Sequence, residues 1–213
     1  MIQTIIQAYL YGMAHSHEFL GALVQHLRLV GVALGVAIVV CLPLGVWTSR
    51  SRLATITIIN TFNAVRVIPS LAILFLAIPY FGLTFTAAAI ALTILALPPI
   101  LINTDTAFRA IDQAIREAAR AMGMTKWQVF RRVEAPLAVP VILAGIRTAT
   151  IEVVASATLA AFIGAGGLGI YVTRGFALYD NSILLVGAIP VALLALMAEI
   201  VMSGLQRILE PPG

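Results

Sequence analysis

Reactive side chains matter only where spacing can bring them together, and four groupings in this chain could in principle do so. Gly164, Gly166 and Gly169 satisfy G-x-G-x-x-G, the spacing that wraps backbone round a dinucleotide pyrophosphate. They close a long apolar run and lack the strand before and helix after of a βαβ unit, so a tight bend or close helix packing suits them better. His15, His17 and Glu18 lie together, but useful metal sites need three or four converging ligands, and a solvated turn is the plainer reading. Lys126, the only lysine, is followed by Trp127, which excludes a Walker A loop and ATP hydrolysis by that route. Cys41 is the only cysteine, so no intrachain disulfide can form, and it reads as a small core residue. No Ser and His, and no paired carboxylates, fall at matched depth for an intramembrane enzyme. No catalytic residue, metal site or bound cofactor is expected of this chain.

The elements that carry these residues are set by composition. Of 213 residues, 61% are hydrophobic and 10% charged, with a mean hydropathy of +1.04; soluble domains average about 45–50% and about 25%. That excludes a soluble globule, a disordered chain, a disulfide scaffold and a nucleic-acid binder as leading classes. The chain reads as an all-α, polytopic membrane protein embedded in a lipid bilayer. Its net charge of +4 and pI of about 9.7 have a simple use in setting topology.

A span needs roughly 20 apolar residues to cross about 30 Å of hydrocarbon, and five candidates satisfy this: about Leu27–Trp47, Leu53–Tyr80 interrupted at Pro69, Phe85–Ala107, Leu137–Ile163 and Ile183–Ile208. Residues 1–26 form an N-terminal interfacial segment, because Ile2, Ile5, Ile6, Tyr9 and Met13 recur at helical spacing opposite Gln3, Thr4 and Gln7. With no basic n-region or cleavage site, a removed signal peptide is not expected. Residues 27–213 form the transmembrane domain. Arg50 and Arg52, then Arg109, Arg116, Arg120, Lys126, Arg131 and Arg132, then Arg207 all fall on one side of a five-span chain. The opposite loops carry only Arg174, so the N-terminus is expected outside and the C-terminus in the cytoplasm.

The loop of about residues 110–136 is too polar to cross the bilayer and too well patterned to be slack. Its composition predicts two short helices, capped by Asp112 and Thr125 and joined at Gly123 in a left-handed C-cap. Ala118, Ala119 and Met122 cluster on one predicted face, where small side chains let another protein approach the backbone. A helix of this kind suits lying flat beneath the membrane in the grip of a partner.

Glu117-Ala118-Ala119, three residues, Gly123, nine residues and Val133-x-Ala135-Pro136 together resemble the EAA signature of permease subunits of ABC importers, with Val and Ala where the pattern has Ile and Leu. Ile68-Pro69-Ser70-Leu71-Ala72, Ala144-Gly145-Ile146-Arg147-Thr148, the run from Ala157 to Gly169 and Arg174-Gly175-Phe176 resemble the osmoprotectant branch, which imports glycine betaine, carnitine or choline. The resemblance covers about Leu20 to Arg207; Arg66 and Glu152 depart from it. It implies the type I importer permease (MetI-like) fold of five spans with a cytoplasmic coupling helix, in a bacterial cytoplasmic (inner) membrane. It also implies two ATPase subunits holding ATP and Mg, an extracytoplasmic substrate-binding protein, and a second permease copy or related permease subunit. Glu117, Ala118, Ala119, Met122, Gly123 and Pro136 become the residues that couple to the ATPase. The alternatives are a permease for methionine or another amino acid and, from another class, an ion-driven secondary transporter, for which the chain shows no internal repeat.

Ionisable residues within spans are the remaining candidates, since an unpartnered charge at mid-bilayer costs about 2.5–3.5 kcal/mol on insertion scales. Arg66, Arg147, Glu152 and Glu199 qualify. Arg66 and Glu152 lie at similar depth, on the order of 20 Å from the cytoplasmic ends of their spans, and could pair. Arg147 and Glu152 are five residues apart and should not face each other. Two readings stay open: ion pairs between spans, or a polar lining of the translocation path that includes Arg66, Pro69, Ser70, Arg147 and Glu152. Pro69 removes a backbone donor, which serves either a kink or a path.

Overall fold

The computed structural model describes residues 2–209; Met1 and residues 210–213, the outermost parts of the two segments expected above, lie outside the described residues. Helix α1 (Ile2–Ala14) leads through His15 into α2 (Ser16–Ser49). Then follow α3 (Arg52–Val65), α4 (Ser70–Phe81), α5 (Phe85–Arg109), α6 (Gln113–Ala121), α7 (Lys126–Ile163), α8 (Gly169–Leu178) and α9 (Asn181–Leu209). Among the described residues there is no strand.

Four of these helices, α2, α5, α7 and α9, are each long and apolar enough to cross a bilayer. The second expected span is a pair: α3 and α4 meet at 94° across residues 66–69. Pro69 causes the break, since it has no N–H to donate and disfavours helical geometry in the residue before it; its own ψ is 136°. The sequence predicts an interruption there, but the chain turns a corner instead of kinking.

Helix α5 is the centre of the molecule, packed between α2 and α7. Thr84 starts it, its hydroxyl accepting from the Ala87 amide at 3.2 Å. Small residues set the spacing. Ala33, Ala37, Cys41 and Gly45 form a buried stripe on α2, and a Cβ on Gly45 would lie 2.6 Å from Thr104. On the other side a Cβ on Gly145 would lie 2.6 Å from Asn103 Cβ and 2.7 Å from the Pro99 carbonyl. Close backbone approach of this kind replaces the hydrophobic driving force that helices lack inside lipid. The outer surface stays apolar, with Leu193, Leu196, Met197, Ile200 and Val201 exposed on α9. In water this face would be a liability; hydrocarbon is its natural solvent.

One expectation changes at the end of the bundle that carries the polar loop. The second short helix of the polar loop is not separate: α7 begins at Lys126 and runs unbroken into the fourth span. Its stretch Phe130–Glu134 is a π turn, with the Ala135 amide bonding the Phe130 carbonyl. The wider turn immediately precedes Pro136 and accommodates a ring that would otherwise clash with the previous turn, so the proline does not end the helix. Helix α2 is continuous from Ser16 to Ser49, residues 26 and 27 included.

At the opposite end α7 tightens into a 3-10 turn at Ala157–Ile163 and stops at Gly164, whose φ is +71°. Gly166 and Gly167 hold φ at +77° and +81°, while Gly169 serves packing: a Cβ there would collide with the Thr158 carbonyl. Helix α1 rests on α9, where the Ser182 hydroxyl donates to Gln7 Oε1 at 3.1 Å.

Candidate functional site

Helix α6 is bounded as its sequence dictates. The Asp112 carboxylate accepts from the Ala114 amide at 2.9 Å. At the other end the Gly123 amide bonds Arg120 O at 2.9 Å and the Met124 amide bonds Ala119 O at 3.2 Å, with Gly123 at φ +82°. This is a complete Schellman closure. Thr125 and Gln128 then form a reciprocal capping box that starts α7.

The six coupling candidates do not share one face. Ala119 is 2% exposed and turns in against its own chain, whereas Ala118 is exposed and Met122 is 70% exposed. The outward apolar surface of this loop is Ile115, Ala118 and Met122, with Trp127 beyond the turn. Glu117 is exposed beside it and accepts from Gln113 Nε2 at 3.0 Å. Pro136 sits past the π turn, away from α6 in sequence. Trp127 stacks on Phe130 with centroids 5.5 Å apart, and Phe130 on Phe108 at 5.7 Å, which ties the loop to the end of α5.

Behind α6 lies a polar cluster that the sequence reading missed. Glu134 is buried and accepts Arg116 Nε at 2.7 Å and Arg50 Nη1 at 3.2 Å, with a second Arg50 contact to its other oxygen. Arg116 also donates to the Phe108 carbonyl at 2.6 Å and the Ile111 carbonyl at 3.1 Å. A second group joins Asp105 to Arg109 (Nε to Oδ2, 3.3 Å) and to the Thr55 hydroxyl (3.2 Å). Asp105 and Arg109 stand four apart on one helix, a signal that was present in the sequence; for Arg50, Arg116 and Glu134 no local spacing marks the contact.

At mid-span the Arg66 and Glu152 side chains form an ion pair at 3.8 Å, both nearly half exposed at 47% and 42%. They line a cavity of about 300 Å³ whose wall includes Pro69, Ser70, Pro98 and Ser156. The break residues Arg66, Val67, Ile68 and Pro69 themselves form part of its wall. Arg147 is elsewhere: its guanidinium donates to Glu199 (Nε to Oε2, 2.8 Å), joining α7 to α9. Four of the five expected path residues therefore meet and one does not. A cavity of this size with one cation and one anion is formally neutral and fits a small organic solute.

The other sequence candidates are accounted for locally. His15 Nδ1 lies 3.0 Å from the Tyr11 carbonyl and its ring stacks on Tyr11. Among the described residues, no group of three His, Cys, Asp or Glu side chains converges for a metal. Cys41 is buried against α5. Arg174 reaches the Tyr11 hydroxyl and Glu18, each at 3.5 Å, and the Tyr11 hydrogen bond raises its pKa further above the ordinary guanidinium value.

Known proteins share this architecture. Residues 22–212 match the family described as binding-protein-dependent transport system inner membrane component. The glycine betaine/carnitine/choline transport system permease protein OpuCB of Bacillus subtilis strain 168 is 40% identical over 189 residues, 89% of this chain and 87% of that protein. The carnitine transport permease protein OpuCB of Listeria monocytogenes is 43% identical over 199 residues, 92% and 90% of the two chains. Among solved structures, the inward-facing MetNI methionine ABC transporter superposes with a TM-score of 0.79 at 25% identity, covering 91% of this chain and 96% of that one. The family match and these likenesses agree: the chain belongs to the binding-protein-dependent transport system inner membrane component family, the membrane-embedded permeases of ABC importers.

Proposed function

We propose that this chain forms half of the translocation pathway of an ATP-driven importer for a quaternary ammonium osmoprotectant such as glycine betaine, carnitine or choline. The observation that carries the substrate class is the 40–43% identity, over about nine-tenths of the chain, to permeases named for those solutes. The likeness to a methionine transporter is weaker in sequence and speaks to shared architecture.

In this reading two ATPase subunits, each with ATP and Mg, grip α6 from the cytoplasm through Glu117, Ala118, Met122 and the turn at Gly123. Ala119 and Pro136 hold that surface in place from behind. Closure of the ATPases rocks the spans and exchanges outward for inward access. This chain supplies no nucleotide chemistry; its partners do. A substrate-binding protein delivers solute from outside, a second copy or a sister permease completes the pore, the N-terminus lies outside and the C-terminus in the cytoplasm. The pair Arg66–Glu152 acts as a gate beside the cavity, its two charges cancelling so that a cationic solute is not repelled. Residues 1–26 serve as an interfacial segment and 27–213 as the transmembrane domain.

Uptake of labelled glycine betaine, carnitine, choline and methionine in cells stripped of their own importers tests this. Accumulation of one or more of the ammonium solutes, dependent on the ATPase, is expected; accumulation of methionine alone overturns the substrate class.

A further inference from the structure

We propose that Glu134 is the joint that converts movement of α6 into movement of the spans, a positioning role that rests on the reading of α6 as the ATPase-docking helix. Helix α6 is nine residues long and is flanked by turns, so on its own it could tilt without moving the membrane helices. What prevents this is Arg116. Its guanidinium donates to the Phe108 and Ile111 carbonyls, at the end of α5 where backbone acceptors lack helical partners, and to Glu134. Glu134 is the last residue of the π turn in α7, is 2% exposed, and takes its other contacts from Arg50 just beyond α2. One buried carboxylate thus links α6 to α2 and α7, while its arginine links α6 to α5.

Charge-assisted bonds of this kind are short and directional, and a carboxylate this deeply buried cannot exchange its partners for water. The Asp105, Arg109 and Thr55 cluster extends the same collar to the start of α3. The ends of α2, α3, α5, α6 and α7 are therefore held as one body. Glu134 faces away from the outward surface of Ile115, Ala118 and Met122, so its removal spares the docking face.

The test uses the permease purified with its ATPase and reconstituted with the binding protein. An ATPase that never assembles with the wild-type chain removes the docking reading and this proposal with it. Once it assembles, Glu134→Gln is expected to keep the ATPase bound and hydrolysing within about twofold of wild type, while solute imported per ATP falls about tenfold. Arg116→Gln should do the same, and the double variant should lose less than the two single losses combined, because the Arg116–Glu134 bond is common to both. Glu134→Asp, which keeps the charge, should recover most of the coupling, and it carries the comparison with Arg116→Gln should Glu134→Gln fail to insert. Uptake and hydrolysis falling in parallel, additive losses in the double variant, or unchanged coupling would each overturn the proposal.

Discussion

Replacement of Gly123 separates backbone geometry from bulk. The residue holds φ at +82°, and nothing lies within 4 Å of the place a Cβ would take. A side chain there meets no obstacle within this chain, so the cost is conformational alone. For an ordinary L-residue the left-handed region costs about 1–2 kcal/mol, which lowers the population of the closed turn about 5–30-fold. Two hydrogen bonds depend on that turn, Gly123 to Arg120 and Met124 to Ala119. Gly123→Ala is therefore expected to weaken ATPase binding about 5–30-fold with normal membrane insertion. Gly123→Val should be worse, since branching at Cβ narrows the choice further. Gly123→Asn should lose least, because Asn enters this region readily. Titration of the purified ATPase against each solubilised variant, alongside initial uptake rates, reads the order directly. Should Gly123→Asn prove as damaging as Gly123→Val while Gly123→Ala stays near wild type, the glycine serves close approach of a partner and the backbone reasoning is wrong.

Other perturbations probe the rest of the molecule. Gly145→Val should lower the thermal stability of the solubilised protein by about 1–3 kcal/mol through overpacking against α5, whereas Gly31→Ala, with nothing within 4 Å, should leave the melting point near wild type. Glu199→Leu leaves Arg147 without its partner in an apolar setting and should reduce membrane levels; Arg147→Leu combined with Glu199→Leu should restore them, since no charge is then stranded. Arg66→Gln and Glu152→Gln should each slow uptake at unchanged membrane levels, and normal uptake in both ends the gate assignment. A cysteine at Lys126 should react only with reagents supplied from the cytoplasm and one at Tyr179 only from outside; the reverse pattern inverts the topology.

Features fixed by nearby residues were legible in the sequence. Asp112, Gly123 and Thr125 act through amides within a few positions of themselves, and each caps or terminates its helix as its type predicts. Pro69 likewise interrupts its span, although local chemistry could not give the 94° angle, which depends on what α3 and α4 pack against. The Arg66–Glu152 pair was accessible because helical rise alone places both at similar depth. What escaped was set by tertiary contact. The helical pattern could not say that Ala119 points inward and Ala118 outward, since that depends on where α5 ends and α7 begins. Continuity of α7 across Pro136 relies on a π turn, which carries no strong sequence mark. Glu134 looked like an ordinary polar residue of a basic loop until Arg50 and Arg116, 84 and 18 positions away, closed on it.

In the proposed function an external motor pulls on this chain through the outward face of α6. A photo-cross-linking residue placed at Met122 or Ile115, activated in membranes from cells making the whole system, tests it most directly. Capture of a nucleotide-hydrolysing protein is expected, with loss of ammonium-solute uptake when that protein is deleted. Cross-links that never contain such a protein, or solute that still accumulates without it, would mean that no motor acts through α6.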